Sequence, residues 1–235
     1  MKKSSAAILA SGAVLSMLIL GLLVYHTATS VTDWQRTVTV KGLAEQEYPA
    51  DTVLWPVTFS LASNDVNTLY QQIDAQMQTV SDYFIQAGLT PAEITRGQPV
   101  ITDKLARQYG NTQKVPFRYT ATATVTLYSQ QVEKVRGLVQ NITELGKQGI
   151  VFADNYDARI EYVFSSLNAV KPEMIEQATV NARQVAQKFA RDSESTLGKI
   201  KRARQGQFTI RDRDRQHPHI KKVRVVSTIE YTLID

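Results

Sequence analysis

The chain has 235 residues, carries a formal net charge of +5 at pH 7 and contains no cysteine. The lack of cysteine excludes a thiol nucleophile, a redox pair, a cysteine zinc site and a lipid-modified cysteine anchor. A hydrophobic content of 43% and a charged content of 21% are those of an ordinary globular protein.

The N-terminal segment predicts a membrane anchor. Lys2 and Lys3 precede an uncharged, largely apolar run at residues 6–25, and a helix of that length spans about 30 Å, the thickness of a hydrocarbon core. The run is longer than that of a typical signal peptide and only a weak cleavage site follows, so an uncleaved anchor is favoured over a cleaved signal. The two lysines favour the cytoplasmic side of the membrane, so the domain lies outside, in the periplasm if the cell has one. We therefore expect an anchor at residues 1–30 and an exported domain at residues 31–235.

Two strands and a helix are predicted to open the exported domain. The first strand contains Val38 and Val40, and the second contains Trp55 and Pro56. Because proline cannot donate to a sheet ladder, the second strand is predicted to be at an edge or bulged there. A helix follows a cap at residues 64–65 and ends at Gly88. Its apolar residues are spaced along one face: Val66, Leu69, Ile73, Met77, Val80 and Phe84.

The same pattern then repeats along the chain. Strands are predicted at residues 94–105 and 117–127, followed by a second helix capped by Ser129, and a further strand is predicted around residues 160–164. A third helix is expected from Pro172 to about Ser195. Its predicted inner face holds Ile175, Ala178, Ala182, Val185 and Phe189.

Two final strands, at about residues 199–211 and 219–234, are predicted to form a hairpin. The resulting order, ββα-ββα-βα-ββ, predicts an α+β fold with mainly antiparallel sheets and helices on one face. In this scheme one N-terminal transmembrane helix precedes the fold.

Positive charge is concentrated near the C-terminus. Residues 199–224 hold ten lysines and arginines and two acidic residues, so the rest of the chain is slightly acidic. Such a hairpin could bind anionic lipid, lipopolysaccharide or an acidic partner, whereas export argues against nucleic acid. The alternative is a solvated hairpin whose charge prevents aggregation of strand edges. The predicted anion-binding residues are Arg211, Arg213, Arg215, Lys221 and Lys222.

The sequence offers no motif for catalysis. It has no nucleophile elbow, no glycine-rich phosphate loop and no zinc-protease helix motif. His217 and His219 could begin a metal site, but a third ligand is missing and the nearby Asp212 and Asp214 stand among arginines that would repel a cation. We therefore predict no enzymatic activity, no catalytic residues, no cofactor and no metal.

Three segments of the exported domain resemble the SIMPL domain family. The first reads Val38-Thr39-Val40-Lys41-Gly42-Leu43-Ala44-Glu45, followed by a turn and strand at Pro49-Ala50-Asp51-Thr52-Val53. The others are an alanine row at Ala178, Ala182, Ala186 and Ala190, and then Leu197-Gly198-Lys199-Ile200. The resemblance covers residues 36–235. It implies a bacterial periplasmic or outer-envelope protein of undefined activity, with some relatives that assemble as hollow rings.

Together with the resemblance, these observations favour a non-enzymatic scaffold that is anchored in the bacterial inner membrane by residues 6–25, faces the periplasm and self-associates. The last strand is predicted to carry apolar groups on both faces, and a second subunit is one means of covering it. The alternative is that a segment of the same chain covers this strand. The predicted oligomer contacts are Trp55, Tyr231 and Ile234. The alternative function is a binding module for an anionic envelope component, acting through the basic hairpin.

Overall fold

A computed structural model describes residues 12, 15–22, 36–106, 116–153 and 159–234. The chain divides into two compact units, which we call unit 1 and unit 2. Unit 1 comprises Met1–Gln46, Asn168–Thr209 and Val223–Asp235. Unit 2 comprises Glu47–Leu167 and Ile210–Lys222.

The described residues confirm an α+β fold with antiparallel sheets. The strands are β1 (Thr37–Pro49), β2 (Thr52–Ser63), β3 (Ile94–Arg96), β4 (Val100–Asp103), β5 (Tyr119–Ser129), β6 (Glu161–Val163), β7 (Thr196–Gln205), β8 (Thr209–Asp212) and β9 (Ile220–Ile234). The helices are α1 (Val66–Gln86), α2 (Val132–Gln140), α3 (Thr143–Lys147) and α4 (Leu167–Asp192), and Pro91–Glu93 form a 3₁₀ turn.

In unit 1, helix α4 packs on a sheet whose strands follow the order β1-β9-β7. Burial alternates along β1, where Val40, Gly42 and Ala44 are buried, so these residues lie on the helix-covered face. A Cβ atom added to Gly42 would overlap the backbone oxygen of Ala178. The helix and strand backbones are therefore in direct contact at this point.

The buried face of α4 agrees with the prediction at Ala178 and Ala182 and differs from it elsewhere. It consists of Met174 and the alanine row, whereas Val185 and Phe189 are 41% and 54% exposed. The close approach at Gly42 explains the difference, because a side chain larger than alanine would hold the helix away from the sheet. The helix also begins at Leu167, so Pro172 lies inside it rather than at its start.

Unit 2 contains a sheet of order β3-β5-β2-β6, with β4 also paired to β5. The predicted face of α1 is confirmed at Leu69, Ile73, Met77, Val80 and Phe84, which are buried in one core with β2 and β5. The predicted cap is confirmed too, since Asp65 Oδ1 accepts the N–H of Thr68 at 2.7 Å. The helix ends at Gln86, before Gly88 at φ 82°.

The prediction that β2 is an edge strand or is bulged at Pro56 is wrong, because β2 pairs with β5 in unbroken register on one side and with β6 on the other. Pro56 lies in a gap in the backbone hydrogen bonds that β2 makes on its β6 side. The β6 pairing covers residues 52–54, and the next bonds on that side join Thr58 to Ala153 and Ser60 to Val151. Pro56 lies between these two stretches, where no N–H donor is required of it.

Three predicted elements are interrupted. The strand expected at residues 94–105 is divided into β3 and β4, because the register against β5 shifts by one residue after Gly97 and Pro99 lacks an N–H. The second helix is split into α2 and α3, and its N-cap is Gln131 rather than Ser129. The predicted strand 199–211 stops at Gln205 and resumes as β8 at Thr209.

Most of the predicted membrane span, residues 6–25, lies outside the described residues. The part of the span that is described includes residues 15–22, which are helical. Within the part of the chain that the structure describes, no helix is both long enough and apolar enough to cross a membrane.

Candidate functional site

Two of the three predicted oligomer contacts lie inside the protein. Trp55 is buried in the core of unit 2, with its ring edge-on to Phe84 at a centroid distance of 5.4 Å. Tyr231 is buried in the core of unit 1. Strand β9 is paired on both edges, so it is not the uncovered terminal strand that the sequence suggested. Only Ile234, at the end of β9, has an exposed side chain.

The tip of the predicted basic hairpin, residues 210–222, lies in unit 2 and is partly neutralised by its own acids. Lys221 is only 8% exposed, and its Nζ atom bonds to the Asp212 carboxylate. Arg213 Nε donates to Asp214 Oδ2 at 3.0 Å. Arg211 and Arg215 are exposed, and Lys222 is half-buried. The five residues therefore do not form one uniform cationic surface.

The two histidines of this hairpin are engaged in local contacts. His217 Nδ1 lies 2.8 Å from Asp214 Oδ1, and the His217 and His219 rings are 5.9 Å apart. Hydrogen bonds from Arg213 and His217 hold the pKa of Asp214 well below its usual range. Burial lowers the pKa of His219. Among the described residues, no three histidine or acidic side chains gather into a group that could hold a metal.

Unit 1 has a second charged surface, on the sheet face opposite α4. Because side chains alternate along a strand, Thr39 and Lys41 of β1 point away from the helix. In β9, Arg224, Thr228 and Glu230 alternate with buried residues and point the same way. Strand β7 adds Arg202 opposite Glu230 and Arg204 opposite Thr228. We call this surface the cationic face, after its basic residues Lys41, Arg202, Arg204 and Arg224.

A shallow cavity of about 190 Å³ lies on the cationic face. Its lining residues are Thr39, Arg202, Arg204, Thr228 and Glu230. The β7–β9 register shifts between Ile200 and Arg202, and the intervening Lys201 lies 3.8 Å from the Glu230 carboxylate. Arg202 and Arg204 make no ion pair with any residue that the structure describes. The register shift thus places Lys201 beside Glu230 and leaves Arg202 and Arg204 available to bind an anion.

An exposed apolar strip borders the outer edge of β1, which has a strand neighbour on only one side among the described strands. Asn181 Nδ2 donates to the backbone oxygen of Leu43 at 2.7 Å, which places this side of α4 beside β1. Val185 and Phe189 follow Asn181 at four-residue steps and so share its side of the helix. We call Val185 and Phe189 the apolar strip.

A carboxylate clamp in unit 2 holds the residues that precede α4. The Asp51 carboxylate accepts the N–H of Ser165 at 2.9 Å and the N–H of Ser166 at 2.9 Å, and it also accepts the Ser165 hydroxyl. Burial opposes ionisation, but these hydrogen bonds outweigh it and lower the pKa of Asp51 to about 2. The sequence placed Asp51 in a turn but gave no sign of its partners, which are more than a hundred residues away.

The segments with a family resemblance lie in unit 1, except residues 49–53, which lie in unit 2. Gly42 and the alanine row make the close strand–helix contact, and Gly198 lies in β7 against Thr232. No curated protein matches the chain. The family model described as SIMPL, a protein of unknown function (DUF541), matches residues 38–227. The match covers most of the chain, and the chain therefore belongs to the SIMPL family.

Proposed function

We propose that this protein is a non-enzymatic scaffold, anchored in a bacterial inner membrane, whose periplasmic domain self-associates. The anchor and its orientation rest on Lys2, Lys3 and the uncharged run at residues 6–25. A SIMPL domain of unknown activity, with no recognised catalytic motif, is consistent with a structural role.

The observation that carries self-association is the apolar strip beside the outer edge of β1. An unpaired strand edge offers a row of N–H and C=O groups to another strand. Val185 and Phe189 add apolar surface next to that edge, and each Å² they bury contributes roughly 25 cal/mol. Strand pairing at the β1 edge would orient the two subunits, and burial of the apolar strip would contribute most of the binding free energy. Ile234 remains a predicted contact, since its side chain is exposed.

Mass measurement on the full chain in a neutral detergent tests this proposal. We expect an oligomer by light scattering, and we expect Phe189→Asp to dissociate it while the domain stays folded. Tyr70→Asp is the matched control, because Tyr70 is a 51% exposed aromatic residue on α1 in unit 2. A wild-type chain that stays monomeric at tens of micromolar would refute self-association, and equal effects of the two variants would refute the proposed surface.

A second candidate function is the binding of an anionic envelope component. The unpaired arginines of the cationic face favour it, as do the exposed Arg211 and Arg215 of the basic hairpin. Contacts to phosphate or lipid weaken steeply with salt, whereas apolar self-association does not. Binding and mass measured across a range of ionic strengths therefore separate the two functions.

A further inference from the structure

We infer that the cavity on the cationic face is a binding site for a phosphate group, carried by a small ester or by a lipid headgroup. The inference rests on the second candidate function and gives that function a location and a ligand class. The residues of the proposed site are Arg202 and Arg204, with the hydroxyls of Thr39 and Thr228 beside them.

The two arginines are arranged to act together. They are two residues apart on a regular stretch of β7, opposite Glu230 and Thr228, so their side chains leave the same face about 7 Å apart at the backbone. Long arginine side chains can converge from that separation on one tetrahedral anion. Guanidinium groups bind phosphate oxygens in pairs of parallel hydrogen bonds, which a lysine ammonium cannot reproduce.

The single carboxylate in the cavity does not prevent anion binding. Glu230 lies 3.8 Å from Lys201, which balances its charge. Because the register shift inserts Lys201 beside Glu230, neither Arg202 nor Arg204 is neutralised by a described residue. Lys41, on the neighbouring β1 strand, is also exposed on this face. The net charge around the cavity is therefore positive, although Glu230 lines it.

The cavity also suits a phosphate group by size and by its hydroxyl donors. Its volume of about 190 Å³ is roughly that of six liquid waters, enough for a phosphate with part of its ester. Thr39 and Thr228 belong to adjacent strands and can donate to phosphate oxygens that the arginines leave free. The tip of the basic hairpin differs from this site, since Lys221 and Arg213 are already bonded to Asp212 and Asp214.

The test compares two double variants of the full chain in micelles of a neutral detergent. Arg202→Ser with Arg204→Ser removes the proposed site. Arg183→Ser with Arg191→Ser removes the same charge from exposed positions on α4, outside every proposed binding surface. Calorimetric titration with glycerol phosphate probes the free ester. Native mass spectrometry with phosphatidylglycerol, and with phosphatidylcholine for comparison, probes the lipid headgroup.

We expect the wild-type chain to bind at least one of the two probes. The first variant should bind at least about tenfold more weakly, because it loses charge-assisted hydrogen bonds, and the second should change by less than about twofold. Binding of glycerol phosphate alone identifies a soluble ester as the source, and selective phosphatidylglycerol adducts identify the headgroup. Equal losses in both variants, or none in either, would overturn the site while leaving anion binding intact. No wild-type binding to either probe would overturn both the site and the second candidate function, leaving self-association unaffected.

Discussion

Gly42 of β1 and Ala182 of α4 are in backbone contact, such that a Cβ atom on Gly42 would lie 2.8 Å from the Cβ of Ala182. Both residues are buried in unit 1. The strand and helix cannot separate to admit a side chain without breaking the packing of the whole alanine row. The stability of unit 1 should therefore depend on this glycine.

We predict that Gly42→Ala lowers the free energy of unfolding by about 3 kcal/mol, because the added methyl group overlaps the α4 backbone. Gly137→Ala is the control, since Gly137 lies within α2 and has no atom within 4 Å of an added Cβ. Alanine there should be neutral or stabilising by up to about 1 kcal/mol. Chemical denaturation measures both changes. Equal effects would show that the close approach does not matter.

Asp51→Asn should destabilise the protein at neutral pH by about 1–2 kcal/mol, because the amide accepts the backbone N–H groups less strongly than the carboxylate. The effect should depend on pH. The pKa of Asp51 is lowered from about 3.8 to about 2 in the folded protein, so its contribution is complete above about pH 4 and is lost as pH falls towards 2. The gap between wild type and variant should shrink over that window. Asp74→Asn, at an exposed position on α1, serves as the control. A gap that is constant with pH would contradict the role of the charge.

The arginines of the basic hairpin should be dispensable for folding. Changing Arg211, Arg213 and Arg215 together to Ser is expected to alter the unfolding free energy by no more than about 1 kcal/mol, as for exposed ion pairs and surface positions. A loss of several kcal/mol would place these arginines in a buried contact between subunits.

Lys221 should behave differently from its basic neighbours. Asp212→Asn removes the carboxylate that holds this 8% exposed ammonium, and the uncompensated buried charge should destabilise the protein by about 2 kcal/mol. The double change Asp212→Asn with Lys221→Met should recover most of that loss in the same denaturation assay. A double variant as unstable as the single one would mean that the ion pair, rather than the orphaned lysine, controls stability.

The anchor prediction concerns the N-terminus of the protein in cells. The mature chain should begin at or near Met1 and stay with the membrane during carbonate washing, because the uncharged run at residues 6–25 is long enough to span it. Mass spectrometry of the purified protein reads the terminus directly. A new N-terminus near residues 29–31 would identify a cleaved signal peptide instead.

Local periodicity was sufficient to predict the buried face of α1 in unit 2. The face of α1 follows from the helical spacing of large apolar residues, and those residues are buried as expected. The same rule failed for α4, because hydrophobicity ranks Val185 and Phe189 above alanine. Side-chain volume at Gly42 decides that contact, and volume is a property of two distant segments together. The alanine row was visible in the sequence, but its meaning depended on a glycine more than a hundred residues away.

Strand neighbours could not be predicted from the sequence in the same way. A final strand with apolar groups on both faces indicates either an interface or a central position, and β9 proves to lie between β1 and β7. The cationic face was missed for a related reason. Arg202 and Arg204 belong to the predicted basic stretch, but the register shift that pairs Lys201 with Glu230 cannot be recognised from strand periodicity alone.

The central position of β9 also determines the order in which unit 1 can fold. Strand β1 is made early and β7 much later, yet neither has its in-sheet neighbour until residues 220–234 have been synthesised. Such distant pairings close slowly, because the chain entropy of a long loop is lost before any contact is gained. Until β9 is in place, the edges of β1 and β7 that pair with it remain open to other extended chains. Unit 1 therefore completes its sheet last, and a chain stalled before β9 exposes two strands that lack their partner.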